Sequence, residues 1–211
     1  MSPVRIYGDQ GYLELAGPTQ AVNTSLIMPS GTGTSGQFLE TNGTGTLSWK
    51  TSPALFESYA IICDRKSNGT SGGGITANTV TTRTLNTELY DPDGIVSISS
   101  NQFTLGAGNY YIHFTTPAMR VQEFTAYCYD VTNTATAFEG QAAYSYGSDG
   151  DISNCHGYGR VTITSDTAYE IRIITDTTNS AAEGLGRPSS TAMSNYTGNE
   201  IYTVVEIFKE L

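Results

Sequence analysis

The sequence predicts an all-β fold, a ten-stranded sandwich, and three observations lead to this prediction. Charged residues make up only 14% of the chain, while 23 Gly and 14 Tyr stand among abundant Thr, Ser and Asn. Tyr and Thr favour pleated, half-buried strands, and Gly and Asn favour turns. Short runs of alternating apolar and polar residues recur between the turn residues, and no stretch has a convincing helical period.

From Tyr59 onward the alternating runs are long enough to define individual strands. In the run YYIHFTT, Tyr110, Ile112 and Phe114 share one face, because successive side chains of a strand point to opposite sides. Many short strands separated by turns are typical of a sandwich or jelly roll. The predicted strands are Tyr59–Asp64, Thr81–Leu85, Ile95–Ser99, Gln102–Leu105, Tyr110–Thr116, Phe124–Tyr129, Ala135–Tyr146, Tyr158–Thr164, Ala168–Ile174 and Ile201–Lys209.

The last predicted strand, IYTVVEIF, carries apolar residues on both faces. Tyr202 and Val204 lie on one face, and Val205 and Ile207 lie on the other. This pattern predicts a central strand that is covered on both sides or that lies at a subunit interface.

Residues 1–50 contain only brief apolar bursts, separated by Gly, Pro and Asn. The first of them, VRIYGDQGYLEL, alternates around a Gly-Asp-Gln-Gly centre and predicts a β-hairpin. A segment of this kind buries too little apolar surface to fold alone, so we expect identical copies to shield it. A homotrimer would place Trp49, the single Trp of the chain, near a three-fold axis or against the base of the following domain.

The charge pattern argues against nucleic acid as a partner. The formal net charge is −10, and no cluster of Lys or Arg is available to neutralise phosphates. No apolar run approaches the roughly 18 residues of a membrane helix, and the N-terminal MSPVRIYGDQ lacks the basic and apolar regions of a signal peptide. We therefore expect a soluble protein that folds in a cytoplasm and binds no membrane.

The cysteines predict neither a disulfide framework nor a catalytic dyad. Cys63 and Cys128 lie in apolar runs and are expected to be buried. Cys155 precedes His156, but neighbouring residues of a strand point to opposite faces.

For metal binding, Asp149 and Asp151 in GSDGDISN are Ca²⁺ candidates because hard cations prefer carboxylate and carbonyl oxygens. An exposed acidic turn is the alternative, and no cofactor is expected.

Enzymatic activity is not predicted, since the chain has no H-E-x-x-H and no phosphate loop. Glu139 and Glu170 could serve as paired carboxylates for sugar hydrolysis, but nothing in the sequence brings them together. Three tyrosines near one another in the sequence are candidates for stacking on sugars or are strand-end surface residues; they are Tyr144, Tyr146 and Tyr158.

The run QFTLGAGNYYIHFTTPA, residues 102–118, resembles the central motif of the C1q/tumour-necrosis-factor (TNF) jelly-roll superfamily. Gly108 and Tyr110 form the Gly-x-Tyr of that motif, and Ile112 and Phe114 continue the inner strand. The terminal IYTVVEIFKEL resembles the closing strand, which in the superfamily runs through the trimer-facing sheet. The resemblance implies a homotrimeric C1q/TNF-like jelly roll in which the trimer and core residues are Tyr110, Ile112, Phe114, Tyr202, Val204 and Trp49.

Residues 11–49 resemble tail-fibre and head-fibre proteins of tailed phages. Short apolar bursts, Gly-Thr turns, Asn42-Gly43 and the final Leu47-Ser48-Trp49 carry the resemblance. It implies a virion fibre or capsid-decorating spike in which residues 1–50 bind other virion proteins and trimerise. Residues 51–57 are then a linker, and residues 58–211 are a knob that adheres to the host surface, with a surface glycan as the candidate receptor.

Three other functions stay open at this stage. One is a short tail fibre, receptor-binding protein or tail adaptor, which differs from the capsid-decorating spike in its place on the particle. Another is a cellular C1q-like binding module, against which the fibre-like residues 11–49 argue. The third is a glycan-degrading spike enzyme, against which the missing acid–base pair argues.

Overall fold

The computed structural model describes residues 4–8, 11–15, 26–51, 55–146, 151–189 and 195–211. Its regular elements are antiparallel β-strands, and they fall into two compact units, Met1–Pro53 and Ala54–Leu211. Within the described residues, no helix has the length and hydropathy needed to cross a membrane.

The first unit contains two separate hairpins. β1 (Val4–Gly8) pairs with β2 (Gly11–Leu15), which confirms the hairpin predicted from VRIYGDQGYLEL. β3 (Gln37–Thr41) pairs with β4 (Leu47–Thr51). The Asn42 side-chain oxygen organises the turn between β3 and β4, because it accepts hydrogen bonds from the backbone N–H groups of Thr44 and Thr46 at 2.9 and 3.1 Å.

Trp49 packs against the Gly-Thr run that precedes its own hairpin. Its indole Nε1–H donates a hydrogen bond to the carbonyl oxygen of Gly31 at 2.7 Å. Gly33 lies under the ring with φ of +72°, and a Cβ at that position would lie only 2.7 Å from Trp49 Cδ2. The local partner of Trp49 is therefore glycine backbone, and its position near a three-fold axis stays a prediction.

The second unit is a sandwich of a five-stranded and a seven-stranded sheet. The five-stranded sheet has the order β14-β10-β16-β5-β7, and the seven-stranded sheet has the order β12-β11-β15-β9-β8, with β13 paired to β11 and β6 paired to β15. The strands are β5 (Phe56–Lys66), β6 (Thr81–Thr82), β7 (Thr87–Tyr90), β8 (Val96–Ser99), β9 (Gln102–Leu105), β10 (Gly108–Met119), β11 (Gln122–Asp130), β12 (Ala135–Glu139), β13 (Ala143–Ser145), β14 (Ile152–Ile163), β15 (Thr167–Thr175) and β16 (Glu200–Glu210).

The chain passes repeatedly from one sheet to the other. β9 belongs to the seven-stranded sheet, β10 to the five-stranded sheet and β11 to the seven-stranded sheet again. Likewise, β14 and β16 belong to the five-stranded sheet, and β15 between them belongs to the seven-stranded sheet. Strands distant in sequence thus become neighbours, since β5 pairs with β16 and β9 pairs with β15. This topology confirms the predicted all-β jelly-roll sandwich.

The core fills the space between the two sheets. Tyr110, Ile112 and Phe114 of β10 are buried there, as the alternation predicted, together with Val205 and Ile207 of β16. The seven-stranded sheet contributes a second layer of buried side chains, which includes Phe103, Phe124, Ile171 and Ile173.

The structure corrects the predicted strand boundaries at three places. β5 begins at Phe56, inside the predicted linker 51–57, because its first residues pair with the end of β16. β7 was not predicted. The single predicted strand 135–146 is split into β12 and β13 at Gly140, whose N–H donates to the Ala126 carbonyl at 2.8 Å. A Cβ at Gly140 would lie 2.8 Å from Cys155 Sγ, so the chain is pressed onto the core at this point.

Candidate functional site

The outer face of the five-stranded sheet, which points away from the core, is the candidate site. Strand register arranges its side chains in three rungs that cross the sheet. The first rung is Tyr59, Phe208, Tyr111 and Arg160; the second is Ile61, Glu206, His113 and Tyr158; the third includes Val204, Thr115 and His156. These side chains alternate with the buried ones along β10 and β16, so the sheet pleat itself turns them outward.

The first rung is part of a continuous aromatic row. The Phe208 ring lies 4.9 Å from Phe56, 6.0 Å from Tyr59 and 6.3 Å from Tyr111, measured between centroids. Tyr59 in turn stacks on Tyr90 of the edge strand β7 at 4.7 Å. We call these five residues the aromatic row. Tyr59 and Tyr90 are 42% and 43% exposed, so large rings packed on each other still face solvent in a single copy.

Ion pairs border the aromatic row. The Arg160 guanidinium binds both carboxylate oxygens of Glu210, with Nε–Oε1 at 2.8 Å and Nη2–Oε2 at 2.7 Å. The hydrogen bond from Arg160 lowers the pKa of the Glu210 carboxyl, and the one from Lys209 to Glu57 raises the pKa of Lys209. In each pair the positive and negative charges cancel, so neither carboxylate, Glu210 or Glu57, is left unpaired.

The second rung places a histidine between a carboxylate and a tyrosine. His113 Nδ1 lies 2.6 Å from Glu206 Oε2, a distance that is short even for a charge-assisted hydrogen bond. On its other side the imidazole stacks on Tyr158, with centroids 4.5 Å apart and planes 1° from parallel. Glu206 and Tyr158 hold the ring flat against the sheet.

The third rung places the second histidine of the chain beside the first. His156 Nδ1 lies 3.0 Å from the Thr115 hydroxyl, and its ring centroid lies 6.0 Å from that of His113. Beyond this rung the face continues into an open groove of about 450 Å³, which Thr115, Asn154, Arg187 and Tyr196 help to line.

Charged groups also bind each other on the outer face of the seven-stranded sheet. Glu170 accepts hydrogen bonds from Arg172, Gln102 and Thr82 at 2.8 to 2.9 Å, and the Arg172 guanidinium lies 3.4 Å from the centre of the Tyr129 ring. Burial pushes the pKa of Glu170 up, but these hydrogen bonds outweigh it and lower the pKa. The carboxylate therefore stays ionised and hydrogen-bonded although Glu170 is only 7% exposed.

The predicted trimer and core residues occupy different places. Tyr110, Ile112 and Phe114 lie between the sheets, while Val204 is half-buried on the outer face beside Thr115. Tyr202 is buried against Gly186, and its hydroxyl donates to the Thr70 carbonyl at 2.7 Å. Trp49 belongs to the first unit.

The three candidate binding tyrosines do not form one surface. Tyr144 and Tyr146 lie together at β13 of the seven-stranded sheet, with rings 6.5 Å apart and exposures of 49% and 56%. Tyr158 lies on the other sheet, where it stacks on His113.

The metal and nucleophile candidates acquire no catalytic setting. Asp149 lies outside the described residues; Asp151 is exposed, and its backbone carbonyl accepts a hydrogen bond from the Ser145 hydroxyl at 2.6 Å. No cluster of three metal-binding side chains occurs among the residues that the structure describes. The Cys155 thiol is buried, on the face opposite His156, and burial raises its pKa.

Sequence reasoning did not identify the aromatic row or the link between His113 and Glu206. Glu206 lies 93 residues from His113 in sequence, and only the register of β10 on β16 joins them. The signal that did exist is the apolar pattern on both faces of IYTVVEIF, since its last residue, Phe208, is the centre of the aromatic row.

Comparisons with known proteins yield similar structures and no similar sequences. No protein-family model matches the chain, and the search of curated proteins gives no significant match. Crystal structures of murine APRIL at pH 8.0 and pH 5.0 each have a TM-score of 0.46 at 10% sequence identity, covering 72% of this chain and 98% of APRIL. The globular domain of zebrafish complement 1qA protein has a TM-score of 0.42 at 11% identity, covering 72% of this chain and 97% of that domain.

Proposed function

We propose that this chain is a structural and adhesive protein of a tailed-phage virion, a homotrimer that associates through the outer face of the five-stranded sheet. The jelly-roll unit is its knob, and the first unit attaches it to the particle. The aromatic row is the observation that carries this proposal, because stacked, exposed aromatic side chains on a rigid sheet are typical anchors of protein interfaces.

A second copy of the same chain is the occupant that the charge distribution favours. The chain as a whole carries a formal charge of −10, so two copies repel each other over most of their surface. On the outer face, Glu206 is bound to His113 and Glu210 to Arg160, and at the end of the same sheet Glu57 is bound to Lys209. Copies that meet through this face therefore bury rings and compensated pairs rather than like charges.

The resemblances seen in the sequence support the trimeric state and the place on a virion. The Gly-x-Tyr motif at Gly108 and Tyr110 opens β10, the strand that carries both the core side chains and the middle of the outer face. The phage-fibre resemblance covers residues 11–49, which lie within the separate first unit. The proposed placement is a head fibre or capsid decoration; a short tail fibre or adaptor is the alternative placement.

A role without catalysis is part of the proposal. Glu170 is held by three hydrogen bonds, Cys155 is buried, and His156 lies on the opposite face from that thiol. Adhesion is assigned to the exposed pair Tyr144 and Tyr146, which lies off the proposed trimer interface and can stack on a host-surface glycan. Among the alternatives, a cellular C1q-like module would share the trimer interface and lack the particle attachment.

The decisive experiment compares the full chain with a variant that lacks residues 1–50. Purified particles that lack the protein are mixed with each form and sedimented. We expect the full chain to co-sediment and the shortened chain to stay in solution, with its β-sheet circular dichroism retained. If both forms bind equally, or neither does, the attachment role is wrong; a full chain that is folded and trimeric but attaches to no particle favours the cellular module.

A further inference from the structure

Both histidines of the chain lie side by side on the outer face of the five-stranded sheet. The His113 and His156 rings are 6.0 Å apart, with planes 16° from parallel. Imidazole is the side chain that ordinarily changes its charge between about pH 5 and 8. Both imidazoles of the chain therefore lie on the surface that we assign to self-association.

The two imidazoles share the Thr115 hydroxyl, which lies 3.5 Å from His113 Nε2 and 3.0 Å from His156 Nδ1, but only His113 has a carboxylate partner. His113 lies against the Glu206 carboxylate, so a proton gained by this ring is offset by a negative charge 2.6 Å away. His156 lies against the Thr115 hydroxyl, which is neutral. A proton gained by His156 has no carboxylate of its own to offset it.

The other charged and titratable groups near the pair do not change this difference. β14 contributes Tyr158, which stacks on His113, and Arg160, which is bound to Glu210. β10 contributes Tyr111 on the same face, and β16 contributes Glu206 itself. Among the described residues of these strands, Glu206 is the carboxylate that contacts either ring. One carboxylate therefore serves two histidines.

We propose that self-association of this chain is weakened by acid, and that His156 is the group whose protonation weakens it. The inference rests on the proposed function, because His156 loses its contact with water only if the outer face is covered by another copy. Burial of an uncompensated charge in such an interface is costly. Association then favours neutral His156 and releases its proton, so association is strongest at neutral pH and declines as the pH falls.

The overall charge of the chain acts in the opposite direction. Acid protonates surface carboxylates, which reduces the repulsion between copies that each carry a formal charge of −10. Without a titrating group in the interface, association would therefore strengthen or stay constant on acidification. The sign of the pH dependence separates the two effects.

The test measures the association constant of the full chain by sedimentation equilibrium at about pH 7.5 and 5.5, on either side of the usual imidazole range. For the natural chain we expect association to be roughly tenfold weaker, or more, at the lower pH. This is the size of effect expected when one imidazole must release its proton for the copies to associate. The variant His156→Gln keeps a polar partner for Thr115 and does not titrate. Its association is expected to stay constant or to strengthen on acidification.

A second variant and a fold control complete the test. His113→Gln should retain the acid weakening, since His156 remains, and circular dichroism at both pH values establishes that every variant stays folded. A natural chain that is monomeric at pH 7.5 would overturn the proposed function itself. A natural chain that associates equally at both pH values, or a His156→Gln variant that weakens as much as the natural chain, would overturn this inference alone.

Discussion

Tyr59 stacks on Tyr90 across the neighbouring strands β5 and β7, with ring centroids 4.7 Å apart and planes 20° from parallel. Both rings remain more than two-fifths exposed, at 42% and 43%. They form the edge of the aromatic row and contribute little to the core of a single copy. The pair therefore offers a way to alter the proposed interface without altering the fold.

The double substitution Tyr59→Ser and Tyr90→Ser should weaken self-association by about 2 kcal/mol or more, because it removes two aromatic anchors from the proposed interface. The association constant measured by sedimentation equilibrium would fall correspondingly. Circular dichroism and the unfolding midpoint of the dissociated chain should change little.

A matched control uses the other exposed tyrosine pair. Tyr144→Ser and Tyr146→Ser removes rings of similar exposure, 49% and 56%, from the seven-stranded sheet. This variant should associate like the natural chain. If the two double variants weaken association equally, the interface does not lie on the outer face of the five-stranded sheet.

For adhesion the expectation is reversed: the Tyr144 and Tyr146 variant should be affected more than the Tyr59 and Tyr90 variant. If Tyr144 and Tyr146 stack on a host glycan, their replacement by Ser should weaken binding to host cells. We expect a loss of about 1 to 3 kcal/mol of binding free energy for each stacking contact that is removed, as for other aromatic stacking contacts. Flow cytometry with labelled protein measures this binding. Unchanged adhesion by the Tyr144 and Tyr146 variant would remove that pair from the proposal.

Gly157 leaves room for the ring of Phe114, the residue opposite it on the neighbouring strand β10. It lies on β14 directly against the Phe114 ring, and a Cβ added there would clash with the ring atoms. Gly157→Ala should lower the free energy of unfolding by about 1 to 3 kcal/mol, as overpacking of a core does. Gly106→Ala is the matched control, since its Cβ would meet only Asp166 Oδ1 at 3.7 Å. Chemical denaturation measures both, and equal stabilities would contradict the described packing.

Arg83 is a buried cation that the sandwich holds at one end of its core. Its Nε donates to the Thr203 hydroxyl at 2.7 Å and its Nη2 to the Leu185 carbonyl at 2.9 Å, and burial lowers its pKa to about 10. Asp64 is buried nearby, and burial raises the pKa of its carboxyl. Arg83→Met should cost about 3 to 5 kcal/mol of stability at neutral pH, because it removes a cation near a buried carboxylate.

The stability lost on Arg83→Met should be smaller at acid pH, and the direction of this pH dependence follows from Asp64. A carboxyl whose folded pKa lies above its unfolded value destabilises the fold as the pH rises through that interval, and the destabilisation disappears when the carboxyl is protonated. Without Arg83 this effect grows, so the difference between variant and natural chain is largest near neutrality. Arg187→Met, at an exposed ion pair with Glu183, should cost less than about 1 kcal/mol. A loss at Arg83 that is constant with pH would contradict the coupling to Asp64.

The cysteines should be unreactive in the folded protein. Cys63, Cys128 and Cys155 are free and buried, and burial raises the pKa of each thiol. A thiol reagent at neutral pH should label none of them within minutes and all three after denaturation. Rapid labelling of Cys155 in the native state would argue for a reactive cysteine and against a purely structural role.

The fold was predictable where alternation is regular. The run around Tyr110, Ile112 and Phe114 showed which side chains enter the core, and the structure places all three there. β7 was missed because Thr87–Tyr90 is only four residues long and lies beside a turn. β12 and β13 were merged because the break at Gly140 depends on contacts with Ala126 and Cys155, which are distant in sequence.

The candidate site was less predictable, because strand register creates it. The histidines and Glu206 lie on three strands, and nothing local to any one of them indicates that they meet. Tyr144, Tyr146 and Tyr158 are close in sequence, yet β13 and β14 belong to different sheets and carry them apart. Proximity along the chain thus suggested one surface where the fold makes two.

The mass of the full chain in solution at neutral pH tests the central claim most directly. Multi-angle light scattering during size-exclusion chromatography should give three times the chain mass of 22.5 kDa. With Tyr59→Ser and Tyr90→Ser the mass should fall toward that of one chain. A natural protein that elutes as a single 22.5 kDa chain at micromolar concentration and higher would contradict self-association through the outer face.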